Sequence, residues 1–157
     1  MKRIVVPALG LFLIFFTACN NTNTKKGDHS TEISKTTADS LYDDVMDGHN
    51  VAMAKYGKLQ AMDNEATRLI DSIVALPVKA QQAAVPLKTK LIGLLKDLKS
   101  AREKMDEWMQ LFNPDSAVNN VEQRIKYMAG EKIKVSEIKE SILSTLQKAD
   151  SIVKAKF

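Results

Sequence analysis

Between Leu87 and Phe112 the chain places Leu87, Leu91, Leu94, Leu98, Ala101, Met105, Trp108 and Phe112 at steps of 4-3-4-3-4-3-4, without interruption. Alternating steps of three and four hold a row on one side of an α-helix and repeat about every 3.5 residues, the seam of a coiled coil. A half-buried strand would alternate at every second residue instead. Leu95, Met109 and Leu111 flank the row. A helix with such a stripe is marginal alone in water, because helical stability in proteins comes mainly from covering the apolar face. The row therefore demands partner helices.

The rest of the chain offers two. The first segment, about residues 37–76, carries Leu41, Val45, His49, Ala52, Tyr56, Leu59, Ala66, Ile70 and Ile73 at steps of three and four, broken only at Asp63. Met62, Leu69 and Leu76 widen that stripe, and Pro77 is expected to end it, since the residue before proline is disfavoured in the α region. The third segment, about 116–155, carries Val118, Val121, Ile125, Met128, Val135, Ile138, Ile142, Leu146, Ala149 and Val153. Lys132 falls on this seam and is expected to snorkel its charge outward. Gly130 predicts local weakness or a bend.

"PVKAQQAAVP", residues 77–86, reads as a connector with at most a short turn of helix, and Pro86 suits the first turn of a helix spanning 87–112. "NPDS", 113–116, stops that helix, and Asp115 or Ser116 can cap the next. Strand signals are missing. The expected fold is all-α, a three-helix up-down-up antiparallel bundle over 37–157. A short extra helix in 77–86, giving four helices, is the alternative.

The chain begins with Lys2 and Arg3, then an apolar run, "IVVPALGLFLIFF", then "TACNN" with the only cysteine, Cys19. The run is shorter than the about 20 residues of a membrane-spanning helix. Charge, apolar run and small residues make a secretory leader over 1–18, and the cysteine at its end resembles a bacterial lipoprotein signal. That resemblance implies a diacylglyceryl group on the Cys19 sulfur and Cys19 as the first mature residue. Phe16 and Thr17 depart from the commoner residues at their positions.

With Cys19 lipidated no thiol remains for a disulfide, a nucleophile or a metal. About 140 residues can nonetheless bury about two thirds of their surface. Residues 20–36, "NNTNTKKGDHSTEISKT", are polar and predict a flexible tether reaching about 20–25 Å. His29 lies in it. The net charge of +4 is small and spread along the chain, unlike a nucleic-acid footprint, which gathers cations on one face.

Three stretches, "DDVMDGHNVAMAKYGKL", "LKSAREKMDEWMQLF" and the Lys- and Glu-rich third segment, resemble a family of small helical lipoproteins of Bacteroidota that often bear the automatic label "viral A-type inclusion protein". Val45, Met46, His49 and Met53 match one box of that family, and Met105, Trp108 and Met109 match another. Asp44, Asn50 and Ala54 stand where the family commonly has Glu, an acid and Pro. The resemblance implies an exported helical domain without an assigned chemistry. Because no acid follows Cys19 directly in "CNNTNTKK", it also implies an outer-membrane lipoprotein facing the periplasm.

One constellation invites a metal reading. Met46, His49 and Met53 share a helix face, and thioether with imidazole suits Cu(I). Met105 and Met109 could complete the set, with Trp108 over the ion. Packing explains the same residues more simply, since methionine is a flexible core filler. A bundle haem would need paired strong axial ligands, and a di-iron site would need Glu-x-x-His pairs, which are missing.

A Ser or Thr nucleophile would need a histidine base, and outside the tether there is only His49. Asp43, Asp44 and Asp47 suit the early turns of a helix, where the dipole favours acids. The expectation is a non-enzymatic, lipid-anchored structural or interaction module of the cell envelope, with no cofactor and no nucleic acid. A metal- or ligand-binding periplasmic bundle is the rival.

Overall fold

The computed structural model describes residues 35–154. The leader, Cys19, most of the tether and residues 155–157 lie outside the described residues. Within 35–154 the chain forms an all-α bundle of α1 (Thr37–Met53), α2 (Tyr56–Val74), α3 (Val78–Leu111) and α4 (Val121–Lys154). α1 and α2 together form the first arm, α3 returns antiparallel, and α4 runs parallel to the first arm. The register follows from side-chain partners, with Asp44 facing Lys132 and Lys58 facing Asp150 between parallel arms, and Tyr56 facing Asp106 between antiparallel ones.

The α3 row is buried as its spacing predicts. Leu91, Leu94, Leu98, Ala101, Met105 and Trp108 join Val45, Ala52, Leu59, Ala66, Val135, Ile142 and Ala149 in one core. Full burial of each Leu contributes about 1.5–3 kcal/mol. Asp63, the fault in the first stripe, is half-buried beside Arg102 of α3.

The structure differs from the sequence expectation at four places. Residues 78–86 are not a connector. They are the first turns of α3, with Pro77 as N-cap and Pro86 inside the helix. The Ala- and Gln-rich composition favours helix, and Gln81 Nε2 donates to the carbonyls of Val74 and Leu76 at 2.9 and 2.7 Å, occupying the free end of α2. As a result α3 and α4 both have 34 residues, about 51 Å each, and no long overhang is left.

The first arm is interrupted at Ala54–Lys55. The Lys55 N–H donates to the Ala52 carbonyl, a tightened turn in an otherwise α-helical ladder. Both residues stay in the right-handed region. Two bonds just after the break tie α2 to both neighbouring helices. Tyr56 donates to Asp106 of α3 at 2.6 Å, and Lys58 Nζ donates to Asp150 of α4 at 2.8 Å. The bond to Asp106, with partial burial, holds the Tyr56 phenol above its usual range.

α4 begins at Val121 rather than near Ser116. Asn120 caps it, its Oδ1 accepting from Gln123 N at 3.0 Å. Asp115 instead closes a turn onto Asn113. Ala117 adopts a left-handed φ of 56°, at a cost of about 1–2 kcal/mol. Arg124 Nη1 donates to the carbonyls of Pro114 and Ser116, and Tyr127 Oη accepts from Asn113 N, so α4 fastens this loop. Val118 and Val121, read as seam residues, are exposed.

On α4 the seam passes through Glu131, which is buried, while Lys132 is exposed and bridges Asp44. Helix α4 is continuous through Gly130.

The glycines separate propensity from packing. A Cβ at Gly130 would meet nothing within 4 Å, whereas one at Gly48 would lie 3.1 Å from Val135 Cγ1. Gly130→Ala is therefore expected to stabilise the fold by about 0.5–1 kcal/mol. Gly48→Leu should destabilise it by about 1–3 kcal/mol through overpacking. Urea denaturation followed by circular dichroism checks both.

Candidate functional site

The residues singled out by sequence meet, in part, where α1, α3 and the start of α4 come together. His49 on α1 lies against Trp108 of α3, with ring centroids 5.7 Å apart. Trp108 stacks on Phe112 at 4.8 Å, and Phe112 faces Tyr127 of α4 at 6.4 Å. These four rings form a column beside the α3–α4 loop that Tyr127 also fastens.

The polar centre of the column is a pair that the sequence reading did not find. Trp108 Nε1 donates to Glu131 Oε2 at 2.8 Å, and the two residues are 6% and 5% exposed. The other oxygen, Oε1, accepts from Lys134 Nζ at 2.8 Å, one turn along α4. That bond, reinforced by the carboxylate charge, holds the Lys134 ammonium above the usual lysine range. The buried charge is thus bonded at both oxygens, as a desolvated carboxylate requires. No buried side-chain nitrogen or oxygen among the described residues lacks a hydrogen bond.

A shallow cleft of about 310 Å³ opens over the pair between α3 and α4, rimmed by Lys104, Glu107, Lys134 and Glu137, with Leu111 and Ile138 at its sides. The rim alternates in charge. Glu131, which reaches its floor, already accepts from Trp108 and Lys134.

The proposed metal face is distributed differently. Met105 is fully buried in the α3 row, and Met109, one turn on, is 38% exposed. Met46 and His49 are half-buried, and Met53 packs on the core. His49 Nδ1 pairs with Asn50 Oδ1 at 3.2 Å. No group of three or more His, Cys, Asp or Glu side chains among the described residues could hold a metal ion. Of the acidic cluster, Asp43 pairs with Lys35 and Asp44 with Lys132. Cys19 lies outside the described residues.

Comparison of the chain with family models, curated proteins and solved structures finds no match.

The signal for Glu131 was present but degenerate. Both 131 and 132 fit between Met128 and Val135 at steps of three and four. Only the indole N–H across the interface makes the acid the buried one.

Two outcomes follow from this geometry. Trp108→Phe and Glu131→Leu should each cost about 1.5–3 kcal/mol, because each leaves its buried partner short of a bond. The double variant should cost clearly less than their sum, and urea titration of all four chains measures the difference. With His49 serving to pack against Trp108, His49→Ala should lower the melting temperature while leaving Cu(I) uptake against a competing chelator unchanged. Copper binding that disappears in His49→Ala would reinstate the thioether–imidazole site.

Proposed function

We propose that this chain is a lipid-anchored helical-bundle protein of the cell envelope. In this reading Cys19 is lipidated at the outer membrane, the domain faces the periplasm, and the protein works as a structural or interaction module rather than as an enzyme. The observation that carries the reading is the order of segments along the chain: charged start, apolar run, small residues, Cys19, polar stretch, then a capped helix.

The helical body is compatible with it. Thr36 caps α1, its Oγ1 accepting from Asp39 N while Asp39 Oδ2 accepts from Thr36 N, so helix begins where the polar stretch ends. No helix among the described residues is long and apolar enough to cross a membrane. The paired state of the buried polar groups favours a module that acts through its surface over one with a free buried acid or base. The interruption of the first arm also falls at Ala54, where the lipoprotein family that the chain resembles commonly carries a proline. Ala54 is a departure from that family pattern, at a place where a helix-breaking residue would be tolerated.

The test is metabolic labelling with a fatty-acid probe, followed by membrane fractionation. The parent chain should take up label and sediment with membranes, and Cys19→Ser should lose the label and leave the membrane fraction. An unlabelled parent chain, or a Cys19→Ser chain that stays with the membrane, would sink the lipoprotein reading.

A further inference from the structure

Charge is unevenly settled over this bundle. Lys58, Lys132 and Lys148 each bridge an acid on another helix, and Lys134 bonds Glu131. The first half of α3 is distinguished by holding cations with no acid among them. Between Asp71 and Asp97 the chain has no acid and carries Lys79, Lys88, Lys90 and Lys96. None of these four makes an ion pair among the described residues. Asp97 is taken by Lys148 at 2.6 Å, and Asp71 stands on the neighbouring α2.

The same half of α3 has a second apolar row. Val78, Val85 and Ile92 recur every seven residues, so they share one side of the helix. It is the side opposite Leu91, Leu94 and Leu98, and the three are 71%, 54% and 53% exposed. Half-buried Lys88 and exposed Lys96 border this row by helical position, whereas Lys79 and Lys90 fall on other sides of the helix. The result is an outward strip about 21 Å long, apolar along its middle and cationic at its borders.

We infer that this face of α3 docks on an anionic lipid surface. Its lysines have long stems that can reach anionic headgroups while their apolar neighbours enter the acyl boundary. Interfacial helices divide their faces in the same way, with lysines attracted to anionic headgroups and apolar side chains at the acyl boundary. A second copy of the same strip would bring unpaired lysines against lysines, which argues against self-association through it. The inference extends the envelope reading but does not depend on a lipid at Cys19.

The experiment uses the mature chain, residues 19–157, carrying Cys19→Ser, so that neither acylation nor the apolar run of the leader can contribute. It is sedimented with vesicles of phosphatidylcholine containing about one-third phosphatidylglycerol, and with vesicles of phosphatidylcholine alone. Two variants are run beside it, Lys88→Gln/Lys96→Gln and Val85→Ser/Ile92→Ser, with circular dichroism to show that the helices persist at these surface positions. Since every chain lacks the leader and the lipid, the differences report α3.

Partitioning to the anionic vesicles should exceed that to the neutral ones and weaken with salt. It should fall about twenty- to thirtyfold in the lysine variant, and also in the serine variant. Equal partitioning of parent and lysine variant on anionic vesicles would overturn the proposal. So would a dimer in sedimentation velocity that Val85→Ser/Ile92→Ser dissolves, or binding to polyglutamate without binding to anionic vesicles. Failure of the fatty-acid labelling would leave this result standing, and the reverse holds too, so the two readings fall separately.

Discussion

An apolar row that runs most of the length of a helix must be covered, and in this chain the covering organises everything else. The α3 row packs against α2 on one side and α4 on the other, and α1 reaches the core chiefly through α4. The energy is hydrophobic and non-directional, so the row by itself specifies only that helices gather. Direction and register come from the polar contacts placed between helices: Tyr56 on Asp106, Lys58 on Asp150, Lys148 on Asp97, and Trp108 on Glu131. The exposed ion pairs among them are each worth little. The Trp108–Glu131 bond differs, because a one-residue slip would bury a carboxylate without its donor.

The fold class and the α3 row were legible because a repeat of three and four is written in side-chain size and polarity, which survive any detail of the ends. The boundaries were less legible. Two prolines nine residues apart read as a connector, yet only Pro77 stops a helix. Pro86 is carried inside α3 because the helix had already been started by favourable residues and by the Gln81 clamp on the α2 carbonyls. Nothing local announces that clamp, since glutamine is common on helix surfaces. The break after Met53 is similarly quiet. It shortens the hydrogen-bond steps at Lys55 and Lys58 and keeps both linking residues right-handed, so the periodic pattern reads straight through it.

The candidate site was half legible for a related reason. Trp108 and His49 were marked as unusual residues on apolar faces, and they do meet. Their partner Glu131 looked like any charged residue of a Lys- and Glu-rich helix. Burial of a carboxylate is a property of two facing helices and not of one, and it is visible only when the indole N–H and the Lys134 ammonium are seen converging on its two oxygens.

Trp108 is the only tryptophan in the chain. Its placement makes the molecule a self-labelled optical reporter of one junction. The indole touches His49 of α1, stacks on Phe112 at the end of α3 and donates to Glu131 of α4. With a carboxylate at its nitrogen and an imidazole beside it, its emission is expected to respond to separation of these three helices. The α2–α3 hairpin at the far end of the bundle, held by Gln81, is spectroscopically dark. Fraying there would leave the emission unmoved while the helical signal fell. A mismatch between the two signals during unfolding would therefore locate which end of the bundle lets go first.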